Sequence, residues 1–154
     1  MSKLITPNIT NNFQFVIVKH THLSDSAVSI TQPGISVAPY EKMYINALIK
    51  MPPRNQDYTR DDLNVIFNLN EDYSNYFEFF NWIHSYNESG SQESMMSDIE
   101  VYHYDMNKNP IRKIVYSDCF PTGLSSIDLT TQTSEAEPLK FTVQFAVNKI
   151  SVVT

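Results

Sequence analysis

Few residues in this chain could do chemistry, and spacing limits each of them. His20 and His22 stand two apart, so on a strand both imidazoles would face one way. A zinc-type site needs three or four ligands, and no further donor is spaced to help, so a polar loop accounts for the pair. Cys119 is the single cysteine, which excludes an intrachain disulfide and a cysteine-based zinc site. Asp118 beside it would raise the thiol pKa, not activate it. The acidic pairs Asp61-Asp62 and Glu71-Asp72 are adjacent, so on a strand their carboxylates point apart, whereas general acid and base work needs them to converge. None of the 3 glycines belongs to a phosphate-cradling loop. Val101-Tyr102-His103-Tyr104-Asp105 alternates like the surface of an edge strand. The expectation is a protein that is not an enzyme and takes no metal, cofactor or small-molecule substrate.

Composition bounds the rest. A chain of 154 residues and 17.8 kDa is one domain with a real core. The expected organisation is a polar, flexible segment from Met1 to Asn12 and a single domain over 13–154. Lys plus Arg is 11 against 17 Asp plus Glu, a net charge of -6. That balance argues against a phosphate-gripping nucleic-acid binder, which needs clustered cations. Only 18% of residues are charged while 12% are aromatic, so part of the surface is expected to meet other protein. The start lacks the apolar core of a signal peptide, and no stretch approaches the roughly 18 apolar residues of a spanning helix. A soluble protein made in a cytoplasm is expected.

The elements that would position these residues are mostly short strands. Phe13, Phe15 and Ile17 mark a largely buried strand. His20 to Asp25 reads as a polar turn. Val28 and Ile30 form a strand ending at Pro33-Gly34. Tyr40 to Lys50 reads as one longer strand with Ile45, Ala47 and Ile49 on one face. Two prolines exclude Met51-Pro52-Pro53-Arg54-Asn55-Gln56-Asp57-Tyr58 from strand interior. Leu63, Val65, Phe67 and Leu69 then alternate with Asp62, Asn64, Ile66 and Asn68, and the strands around the loop are placed to form a long hairpin. The period changes at Tyr73, Tyr76, Phe77, Phe80 and His84, extended by Phe79, Trp82, Ile83 and Tyr86: one aromatic helix over about 72–87, started by Glu71 and Asp72 and ended at Asn87-Glu88-Ser89-Gly90. Ile99 to Asp105 and Ile111 to Tyr116 form a hairpin through Met106-Asn107-Lys108-Asn109-Pro110. Phe120-Pro121-Thr122-Gly123 reads as a break before a weak strand through Ile127 and Leu129. The closing strand carries Phe141, Val143, Phe145 and Val147 on one face. The predicted fold is mainly β, an antiparallel sandwich or barrel with one helix.

Arg60-Asp61-Asp62-Leu63-Asn64-Val65-Ile66-Phe67, a short acidic link, and Tyr76-Phe77-Glu78-Phe79-Phe80-Asn81-Trp82-Ile83 together resemble the tail tube proteins of contractile, T4-like bacteriophages. Phe120-Pro121-Thr122-Gly123-Leu124 is similar to that family's aromatic-proline turn, with Phe120 in place of a more usual Trp. Ile111-Arg112-Lys113-Ile114 is similar to the strand before it, and Pro33-Gly34-Ile35 to a small-residue turn after the second strand. The resemblance runs in order from about Phe13 to Val147.

What it implies is a structural protein. Subunits would form hexameric rings that stack into a tube inside a sheath, with baseplate and terminator proteins at its ends, and conduct genomic DNA without gripping it. Localisation would be a phage tail assembled in the host cytoplasm. Strands such as Leu63 to Leu69 would pair with neighbouring subunits. The loop Met51, Pro52, Pro53, Arg54, Asn55, Gln56, Asp57, Tyr58 would be a ring-to-ring contact. Asn64, Asn68, Ser126, Asp128, Thr142 and Gln144 would be lumen-facing candidates. Asn75, Glu78 and Asn81 would face the sheath from the helix. Alternatives within the class are a baseplate initiator, a tail terminator, or the inner tube of a related injection system carrying protein. Outside it stands a monomeric β-barrel that binds a small ligand.

Overall fold

The computed structural model describes residues 12–53, 58–87, 92–131 and 138–153. The anticipated flexible segment, apart from Asn12, lies outside them; Asn12 is buried, and its side-chain amide donates to the Asp105 carbonyl at 3.1 Å. The strands are β1 (Phe13–Ile17), β2 (Ala27–Thr31), β3 (Ile35–Val37), β4 (Tyr40–Tyr44), β5 (Ala47–Met51), β6 (Tyr58–Arg60), β7 (Leu63–Asn68), β8 (Ser97–Tyr104), β9 (Pro110–Leu124), β10 (Lys140–Ala146) and β11 (Lys149–Val153), with helices α1 (Thr21–Ser24) and α2 (Ser74–His84). The main sheet runs β1-β8-β9-β10-β7-β2, with β11 also on β9, and every pairing is antiparallel. The antiparallel β expectation holds.

Strand β9 makes the sheet into two layers. Its first part pairs with β8 and β11, and its end pairs with β10, opposite Ala146 to Val143. Between the two parts Asp118 takes φ 54, its N–H bonding the Asp98 carboxylate at 3.1 Å. A bulge of this kind re-aims a strand and lets it turn a corner between layers. The expected break at Phe120-Pro121-Thr122-Gly123 is therefore continuous strand. Pro121 is accommodated opposite Phe145, where the register slips, so its missing donor costs the ladder little. Regular structure ends at Leu124, so the anticipated strand through Ile127 and Leu129 does not form, and β11 is an extra strand. The run 101–105 is not an edge, because β8 is paired on both sides.

The core follows from alternation. Phe15 and Ile17, Ile99 and Val101, and Tyr116 are buried from one layer; Leu63, Val65 and Phe67 with Phe141, Val143 and Phe145 are buried from the other. Phe15 meets Phe67 edge-on at 5.9 Å. Helix α2 adds Phe79, 4.9 Å from Phe67 and 5.9 Å from Phe141, and Trp82, 6.3 Å from Phe145. Burying one such aromatic contributes about 1.5–3 kcal/mol. The helix is shorter than the sequence pattern suggests, with a 3-10 turn at Ser85–Asn87. Tyr73 precedes it at φ 61, and the Asp72 carboxylate accepts the Ser74 N–H at 3.1 Å.

Residues 35–60 leave the sandwich. The expected single strand Tyr40 to Lys50 is two: β4 and β5 pair Tyr40 with Met51 and Tyr44 with Ala47 around Ile45-Asn46. Both turn residues are left-handed, φ 40 and 64, which matches the two-residue turn favoured by strand twist. Outside this hairpin β3 pairs with β6. The long hairpin with β7 is thus replaced by an arm nested on itself, and β7 is paired on both sides, by β10 and β2. In the main sheet, strands β1, β2 and β11, each with one neighbour among the described residues, are the open edges.

Candidate functional site

The arm is the first candidate surface. Every residue from 34 to 50 is exposed. Among them are Ile35, Val37, Tyr40, Met43, Tyr44, Ile45, Leu48 and Ile49, large apolar side chains on a two-stranded ribbon with no core of its own. Met43 faces Leu48 across the ribbon, and Lys42 faces Ile49. Such a ribbon is marginal alone in water, and so much contiguous apolar surface marks a docking site. Of the expected loop contact, Met51 closes β5 half-buried, Pro52 is exposed and Pro53 half-buried, and Tyr58 opens β6. Arg54, Asn55, Gln56 and Asp57 lie outside the described residues.

The second surface is the outer side of β7 and β10. Asn64 lies opposite Gln144, Ile66 opposite Thr142, and Asn68 opposite Lys140. The sandwich thus brings four of the six lumen candidates onto one face. Gln144 donates to the Asp62 carboxylate at 2.6 Å, and the Thr142 N–H donates to the Ser125 hydroxyl at 2.9 Å. Ser126 and Asp128 stand apart, exposed on the irregular segment after β9.

Helix α2 offers the third. Glu78 and Asn81 are exposed, and Phe77 and Phe80 are exposed beside them. Asn75 is not: it is buried, its amide donating to the Asn68 carbonyl at 2.6 Å and the Ser26 hydroxyl at 3.2 Å while its oxygen accepts the Asn70 N–H at 3.1 Å. A buried amide is tolerable only with such partners, and here it ties the helix start to the end of β7, so Asn75 cannot face a sheath. The indole N–H of Trp82 donates to the Met95 carbonyl at 2.7 Å and the Tyr86 hydroxyl to the Pro121 carbonyl at 2.8 Å, fixing the helix orientation. Aromatics all round this helix hid from the sequence that Phe79 and Trp82 turn inward while Phe77 and Phe80 turn outward.

Cys119 is buried, and its thiol is pushed up to about 12 by burial first and then by Asp98 and Asp118. That leaves no thiolate for nucleophilic chemistry near neutral pH. The space between the layers is filled by Tyr116, Phe67, Phe79, Phe141 and Phe145. A hollow of about 320 Å³ lies outside it against Tyr86, Met95, Met96 and Phe120.

No protein-family model and no curated protein sequence matches the chain. Solved structures do. The chain superposes on the sheath/tube terminator of an extracellular contractile injection system, PVC, in the extended state: TM-score 0.73, 14% identity, 99% of this chain and 100% of that one. It superposes on the tube-terminating cap of the anti-feeding prophage: TM-score 0.71, 15% identity, 100% and 95% covered. It also superposes on the PVC sheath–tube complex in the extended state: TM-score 0.70, 15% identity, 96% and 91% covered. At these identities the likeness establishes a fold shared with subunits of contractile tube assemblies.

Proposed function

We propose that this chain is a tail tube subunit, a structural protein that forms hexameric rings stacked into the inner conduit of a contractile tail. The observation that carries the reading is the arm: an apolar ribbon exposed over residues 34 to 50, on a fold shared with contractile tube assemblies. An isolated subunit gains nothing from such a ribbon, whereas a stacked ring buries it. The arm, with the loop Met51 to Tyr58, is then the ring-to-ring contact. The edges β1, β2 and β11 would pair with neighbouring subunits, and ring closure leaves no edge to grow from.

In that arrangement the polar outer face of β7 and β10, with Asn64, Asn68, Thr142 and Gln144, lines the lumen, joined by Ser126 and Asp128. A net charge of -6 suits a wall along which genomic DNA slides without adhering. The outer side of α2, with Glu78, Asn81, Phe77 and Phe80, meets the sheath, and baseplate and terminator proteins meet the ends. The assembled protein belongs to a virion tail built in the host cytoplasm. A second reading, favoured by the fit to the terminator and the cap, is a terminal ring of the same architecture. Native mass spectrometry of the purified chain tests the ring: a species of six 17.8 kDa chains is expected, and a monomer at all concentrations contradicts it.

A further inference from the structure

We infer that His20, His22 and Glu78 form a binding site for a divalent transition-metal ion of the Zn2+ class, at the junction of α1 and α2. One ligand atom from each, two imidazole nitrogens and a carboxylate oxygen, lie within 4.8 Å of one another. The site is built from two elements 56 residues apart, joined where His22 Nε2 contacts the Glu78 carboxylate. The sequence held only the His-x-His half of it.

Packing brings the third donor in. His20 is fixed by its backbone: its N–H donates to the Ile17 carbonyl at 3.1 Å and its carbonyl accepts the Leu23 N–H at 3.0 Å. Its ring lies on Trp82, with centroids 4.6 Å apart. Glu78 is one helical turn before Trp82, at the exposed margin of the face that Trp82 buries. The contact that seats His20 on the indole therefore sets Glu78 above the histidine pair. Tetrahedral zinc with bonds of about 2.0–2.2 Å holds its ligand atoms about 3.3–3.5 Å apart. Closing the triad needs a shift of about 1.5 Å at most, and the side chains of His22 and Glu78, 61% and 42% exposed, have room for it. Two imidazoles and one carboxylate suit zinc and its neighbours and leave a fourth position for water or another donor, whereas Mg2+ and Ca2+ demand oxygen alone. An ordinary His22–Glu78 ion pair would give no role to His20 and no response to metal.

The test uses the full chain without an affinity tag. Zinc is titrated in by calorimetry, and Co2+ is followed by visible absorption. One saturable equivalent per chain is expected, with the intense cobalt bands of a tetrahedral site. H22A and E78Q, both at exposed positions, should each weaken zinc binding at least about tenfold. H84A and H103A, changing the remaining two of the 4 histidines, should leave it unchanged. Circular dichroism verifies that each variant is folded. Lack of saturable zinc binding by the wild-type chain, or binding that survives H22A and E78Q undiminished, overturns the site. Neither result depends on whether the chain forms tubes.

Discussion

The arm permits a prediction that separates docking from folding. The perturbation is Met43→Glu with Leu48→Lys, at positions that face each other across β4 and β5. In the subunit these side chains are 67% and 63% exposed, so the core loses almost nothing. The new pair of opposite charges contributes about 0.2–1 kcal/mol to the ribbon itself. Docking is another matter. Burying a Met or Leu completely is worth about 1.5–3 kcal/mol, so covering the exposed two thirds of both amounts to about 2–4 kcal/mol per arm. Taking the two charges out of water adds to the loss. If the proposed hexameric ring sets six arms at each junction, even the lower figure exceeds about 10 kcal/mol, about seven orders of magnitude in the stacking equilibrium. The assay pairs thermal denaturation with sedimentation of assembled particles. The Tm should move by less than about 2 °C while pelletable tubes disappear. Tubes at wild-type yield would refute the docking role. A fall in Tm of more than about 5 °C would refute the independence of the arm from the core.

Other consequences follow from single contacts. Asn75→Leu removes the buried amide that partners the Asn68 carbonyl and the Asn70 N–H in part-buried bonds, and should cost about 2–3 kcal/mol in denaturant unfolding; a loss below about 0.5 kcal/mol would contradict the bonding described. Cys119 should resist iodoacetamide at pH 8 in the native protein and react once guanidinium unfolds it. Above about pH 9 the unfolded chain loses a thiol proton that the native chain keeps until about 12, so stability should fall with rising pH across that window, by up to about 1.4 kcal/mol per unit. Replacing Asn64, Thr142 and Gln144 together by Lys should spare tube assembly and reduce genome delivery by the tail; delivery at the wild-type level would remove those residues from the lumen.

What could be read from the sequence was what alternation encodes. Strand β7 and strand β10 bury Leu63, Val65 and Phe67 and Phe141, Val143 and Phe145, the residues their period of two selects. The helix was legible as an element but not as an orientation, since aromatics on every side leave the period nothing to choose between. The arm's turn was hidden because Ile45, a β-branched residue, seldom takes a left-handed conformation and only Asn46 signals one. Pro121 reads as a breaker, yet a slip of register lets a proline stand in a paired strand. Asn75 reads as a surface residue by type, and only the carbonyl at the end of β7 explains why it is buried. Glu78 and His22 meet across 56 residues, a pairing that no local pattern could announce.

Negative-stain electron microscopy of the purified full-length chain tests the assembly most directly. Rings with an open centre, stacked coaxially into tubes at high protein concentration, are expected. Dispersed particles of single-subunit size at every concentration would contradict it, and single rings that never stack would replace the tube body by the terminal ring.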